Sequence, residues 1–315
     1  MSVEEWQKRL VDAFTYDGTV GGRLSHVISL EEKYGLEIIA RFRGRGMLID
    51  SFSDFYIETL NRSADANNTG VVPAGYEHYT YWLMLHTASF KRLRAAENVF
   101  LHGYPLPAYA LLRDLKDRTV LTAGFMNGLT SCRALGGLQG PPRNAISLSN
   151  TEYGEIRKRR ETEERRVLDC VLRGRSGLDP SVRRWLQKWE KLFHEEVHGS
   201  RLTVVTILNC VHRGILPIAP VFEETPAAVY INRCSEVCWL MMRTLPMLQP
   251  VTGGFGSEWS RRWCILDESF RQIVTSHSTE LGDDFPAAFV TFTDAKFAFS
   301  PDWSYRECYP RAQQS

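Results

Sequence analysis

Two stretches of helical periodicity separated by three residues constrain the fold of this chain more than any other feature. From Glu77 to His102, apolar side chains recur at Trp82, Leu85, Ala88, Leu93, Ala96 and Phe100, close to the period of about 3.6 residues of an α-helix. Gly103 is suited to end that helix, and Tyr104-Pro105 to turn the chain. From Leu106 to about Leu129, the residues Leu111, Leu112, Leu115, Thr119 and Thr122 share one side. A turn this short makes the two helices antiparallel neighbours, an αα-hairpin. Leu85, Leu93, Leu112 and Leu115 are expected to be buried between them and the elements around them.

The rest of the chain reads as helical with few exceptions. Ser2 and Glu5 have the form of a capping box for a first helix to about Phe14, which Asp17 to Gly22 breaks. A helical pattern returns from Leu24 to Asn61, with Gly35 and Gly44 to Gly46 as its points of interruption. Asp65 to Gly75 and Cys132 to Asn150 read as loops. Between them and the C-terminus, helices are expected over Glu152–Arg173, from Asp179-Pro180 to at least His198, from Thr225-Pro226 through Met247, and over about Glu258–His277. Residues 285–299 fit a strand or a last helix equally well. No βαβ alternation and no repeat is present. The expected fold is therefore all-α or nearly so: an N-terminal helical region (1–64), an up-down bundle (76–215) and a C-terminal helical region packed on that bundle (216–315).

Charge and cysteine content narrow the function classes. A formal charge of +1 gives no general pull toward nucleic acid or a membrane surface. In the most charged helix, Glu155–Arg159, Arg160–Glu164 and Glu161–Arg165 are four apart, which describes a solvated face better than a nucleic-acid track. The seven cysteines are odd in number and form no CxxC pair, so they read as buried thiols in a reducing compartment. Cys234 and Cys238, four apart on one helix, are the pair that could meet. The longest apolar run, Leu202 to Val211, is too short to span a bilayer. The N-terminus is acidic where a signal peptide is basic. A soluble, cytoplasmic protein is expected.

His194-Glu195-Glu196-Val197-His198 is the sharpest chemical motif. On a helix the two histidines, four apart, can both ligate zinc, while Glu195 acts as general base on a metal-bound water. Glu223 or Glu224 is the candidate third ligand. The charged Glu196, the absence of strands upstream and the helix-breaking Gly199 favour instead a histidine pair at a helix end.

The hairpin also carries a resemblance. Gly103-Tyr104, Ala108 and Leu111-Leu112-Arg113, followed further on by Val197-His198-Gly199-Ser200, resemble uncharacterised bacterial helical proteins similar to HEPN-like bundles over about residues 80–215. The resemblance implies a helical module that binds a partner protein, a nucleotide or RNA in a defence or toxin–antitoxin setting, without a cofactor. Some such bundles are metal-independent RNases with Arg and His a few residues apart. Arg271 and His277 alone have that spacing here, and the arginine content produces it by chance. His198 is the residue shared by both lines of reasoning, expected in a polar cleft beside Arg113 or Arg201. Three function classes follow: the HEPN-like binding module, a zinc-dependent hydrolase, and a structural or homo-oligomerising protein.

Overall fold

The computed structural model describes residues 4–5, 7–9, 15–16, 19–20, 22–70, 77–126, 129–131, 134, 149–172, 180–197, 220, 222–248, 254–277 and 282. The fold is all-α apart from one short antiparallel pairing of β1 (Thr15–Tyr16) with β2 (Thr19–Val20). The helices are α1 (Gly22–Arg41), α2 (Arg43–Asn68), α3 (Glu77–Leu101), α4 (Pro105–Met126), α5 (Asn150–Leu172), α6 (Pro180–Val197), α7 (Glu224–Met242) and α8 (Ser257–Ser276), with a 3-10 turn at Leu245–Leu248. Among the described residues no helix is long and apolar enough to cross a membrane.

The α3–α4 hairpin forms as the periodicity requires. Its register is antiparallel: Arg92 pairs with Asp114 at 2.8 Å near the turn, while Tyr81 packs edge-on against Phe125 at 5.2 Å near the open end. Leu93, Leu112 and Leu115 are fully buried, and Leu85 is half-buried against the same core. Pro105 opens α4 at the first helical position, where its missing N–H is no loss. Gly103 adopts φ +86°, and a β-carbon there would sit 2.1 Å from the Pro220 side chain. Both the backbone conformation and the contact demand glycine.

Two sequence expectations shift. The loop expected from Asp65 is helical through Asn68, and α2 ends at Thr69-Gly70, where Gly70 takes φ +70°. Gly35 does not interrupt α1. Its missing side chain instead allows close approach, since a β-carbon would lie 3.0 Å from the Leu101 carbonyl of α3. The break falls at Phe42, whose φ of −114° and ψ of 28° redirect the chain between α1 and α2.

α7 is the central element. Every residue from Arg233 to Leu248 is buried, as befits a helix whose circumference is covered by other helices. Its two internal charges pair with one another. Arg233 binds Glu236 at 2.6 Å, and Glu236 also accepts the Trp189 indole N–H of α6 at 2.9 Å. At the far end Asp267 of α8 accepts from Arg243 at 2.9 Å and from Trp239 at 2.7 Å. α8 is tied to α2 by the Trp259 indole N–H donating to Thr59 Oγ1 at 2.8 Å, and by Phe52 edge-on to Phe270. The contacts of α2, α3 and α7 therefore build one shared core across the three stretches of chain separated above.

Candidate functional site

Four helices leave a pocket where the end of α1, the start of α2, the C-terminal half of α3 and the middle of α7 converge. Its volume is about 380 Å³. The walls are mainly apolar: Ile38 and Ile39 from α1, Ile49 from α2, Phe100 and Leu101 from α3, Ile231 from α7. The bend at Phe42 positions the α1 and α2 walls at an angle, and the close α1–α3 approach at Gly35 fixes the third. Around the mouth, Ile39 and Met47 remain 58% and 61% exposed, and Leu36 beside them is 68% exposed. Large apolar side chains left in water at one place mark an interaction site more often than a resting surface.

Polar groups enter this apolar space at few points. Glu97 of α3 is 9% exposed and accepts a hydrogen bond from Arg94 at 2.6 Å. Burial pushes its carboxyl up to about 7, against the opposing pull of Arg94 and with a further push from Asp50. Tyr230 of α7 lies stacked on Phe100, ring centroids 3.9 Å apart, with Tyr109 edge-on at 5.8 Å. The Tyr230 hydroxyl is buried and, among the described residues, has no hydrogen-bond partner. Burial, with Cys234, Glu97, Cys238 and Tyr109 around it, raises it well above the ordinary phenol range. Cys234 also faces the pocket, its sulfur 4.0 Å from that of Cys238, and both thiols are free.

Behind the pocket, Tyr56 and His86 form a buried pair, with Tyr56 Oη 2.7 Å from His86 Nδ1. Burial lowers the His86 imidazole to about 3, so the ring stays neutral.

The residues singled out from sequence lie elsewhere. Glu224 is exposed at the start of α7 and faces Arg41 at 3.5 Å, and Glu223 is the residue preceding the helix. His194 is exposed in the last turn of α6. Glu195 belongs to α6, but its side chain lies outside the described residues, as do His198 and Arg201 entirely. Among the described residues no group of three His, Cys, Asp or Glu could hold a metal ion. Arg113 lies 4.0 Å from Glu190 of α6. Asp117 faces Lys116 at 3.2 Å. Lys116, fully buried, also binds Glu190, with its ammonium above the Trp189 and Phe193 rings at 5.4 and 5.2 Å. This cluster clamps α4 to α6. Arg271 turns to Asp267 at 3.2 Å, and His277 caps α8 beside Arg45. Burial, then Arg45 and Arg233, lower the His277 imidazole to about 4.

No protein-family model matches the chain, and no curated protein or solved structure matches it.

Proposed function

We propose that this chain is a helical binding module whose ligand is a small molecule with an apolar body, seated between α1, α2, α3 and α7. The pocket itself carries this reading. Its volume of about 380 Å³ falls within the range of about 300–1,000 Å³ used for small-molecule sites. Its lining follows the usual plan of such sites, apolar walls with a small number of convergent polar groups.

The test is a titration with the neutral, polarity-sensitive dye N-phenyl-1-naphthylamine. Saturable fluorescence enhancement at one site per chain is expected. Gly46 lines the pocket and a β-carbon there would meet nothing within 4 Å, so Gly46→Trp places an indole at the site without disturbing the core. Loss of saturable binding in this variant supports the reading, whereas equal binding by both proteins refutes it.

A further inference from the structure

Arginines that leave the surface of this protein take a carboxylate with them, with one exception. Among the described residues, every other buried or half-buried arginine lies within 4.0 Å of an Asp or Glu oxygen. Arg45 of α2 is half-buried and has no such partner among them. Its Nη1 donates to Asn232 Oδ1 of α7 at 2.7 Å, and its Nη2 faces His277 Nδ1 at the end of α8 at 3.5 Å. Burial lowers the Arg45 guanidinium, and no carboxylate offsets that. The His277 imidazole shows the same imbalance, lowered by burial and then by the positive charges of Arg45 and Arg233. Glu236 already matches Arg233 at 2.6 Å, so the unmatched charge at this junction is that of Arg45. An arginine keeps its proton, and drawing it out of water without a counter-ion is costly. The end of α8 carries only a partial negative charge, and both Arg45 contacts go to side chains and not to its carbonyls.

The junction is open as well as cationic. Arg45, Asn232 and His277 are all half-buried, so each side chain keeps a face in water. With Asn232 Oδ1 taken by Arg45, the Asn232 amide N–H groups remain to donate. The geometry points to an anion site at the junction of α2, α7 and α8, in which a phosphoryl group accepts from the Arg45 guanidinium and the Asn232 amide beside His277. A phosphoryl group suits this place better than a carboxylate, because it presents three acceptor oxygens and a charge of about −1.5 to −2 at neutral pH. The first negative charge matches Arg45, and the second lets the neighbouring imidazole take up a proton. None of the three residues lines the apolar pocket, so this site stands or falls independently of it.

The test follows the His277 imidazole by NMR in the full chain as inorganic phosphate, phenyl phosphate or acetate replaces chloride at constant ionic strength. At pH 7 phosphate is expected to shift the His277 signal saturably, with acetate at least about tenfold weaker. Saturating phosphate should move the midpoint of the His277 titration up by about one pH unit. Tighter binding of phenyl phosphate assigns the site to phosphate monoesters, and tighter binding of the free ion assigns it to inorganic phosphate. Asn232→Asp keeps the side chain's shape and gives Arg45 an internal carboxylate. Phosphate should then bind at least about tenfold more weakly, while the His277 midpoint rises without it. Three results overturn the proposal: no saturable response of His277 to either phosphate, acetate binding as tightly as phosphate, or an unchanged phosphate affinity in Asn232→Asp.

Discussion

Replacing Glu97 by Gln keeps the side chain's shape and removes its ionisation, which isolates the buried acidic group of the pocket wall. Burial raises this carboxyl from an ordinary 4.5 to about 7 in the folded protein. The folded state therefore holds the proton across a window where the unfolded chain has lost it. Stability must fall as pH rises from about 4.5 to about 7 and level off above. At about 1.4 kcal/mol per pKa unit, the fall attributable to Glu97 is about 3 kcal/mol. Glu97 is 9% exposed, so little of this is screened by solvent. Urea unfolding of the native protein and of Glu97→Gln at pH 4, 5, 6, 7 and 8 measures it. Other titrating groups are common to both proteins and cancel in the difference. The variant should gain about 3 kcal/mol relative to the native chain between pH 4 and pH 8, with most of the change between pH 5 and 7. Parallel stability profiles would refute the claim that Glu97 is desolvated, and with it the enclosed character of this wall.

Leu112→Ala, at a fully buried position of the hairpin, should cost about 2–5 kcal/mol in urea unfolding; a loss below about 1 kcal/mol contradicts its place in the core. Gly103→Ala faces both a positive φ and the Pro220 side chain, so a loss of more than about 1 kcal/mol is expected, and unchanged thermal stability would contradict the turn geometry. His86, held neutral by burial with its imidazole lowered to about 3, should show no proton-linked NMR shift between pH 8 and pH 5. A ring titrating near 6.5 would place it in water. The same shift makes stability fall as pH drops below about 6.5, where the unfolded histidine takes up a proton that the folded one refuses.

The hairpin was legible because its signals are local. A helical period, a glycine stop and a proline start act within the segment that carries them. The capping box at Ser149 is equally local, though a loop expectation over Cys132 to Asn150 hid it. Ser149 Oγ accepts from the Glu152 N–H at 3.3 Å, and Glu152 Oε2 accepts from the Ser149 N–H at 2.9 Å. The stripe of α3 was read too strictly as apolar. Ala88 is exposed, while His86, Ser89 and Glu97 are buried. Tyr56 makes a buried His86 tolerable, and Arg94 does the same for Glu97. The Tyr56 partner comes from another helix, and periodicity within α3 carries no information about it.

The pocket itself was not legible. Its walls are drawn from Ile38 to Cys234, and no spacing within one segment encodes that convergence. Three residues carried a trace of it: Glu97, an acid inside the apolar stripe Leu93, Ala96 and Phe100, and the adjacent isoleucines Ile38 and Ile39, too apolar for one helix face. The motif that stood out in sequence, His194 to His198, owed its prominence to a pattern in type and spacing, and only His194 has a described side chain, exposed at the end of α6.

The claim that this bundle is built to hold a small ligand is tested most directly by a crystal structure of the protein soaked with N-phenyl-1-naphthylamine. The account predicts ligand density within the cavity of about 380 Å³, against the Ile38, Ile49, Phe100 and Ile231 side chains. Native crystals in which these four helices close on one another and leave no cavity, or soaked crystals with ligand only on other surfaces, would contradict it.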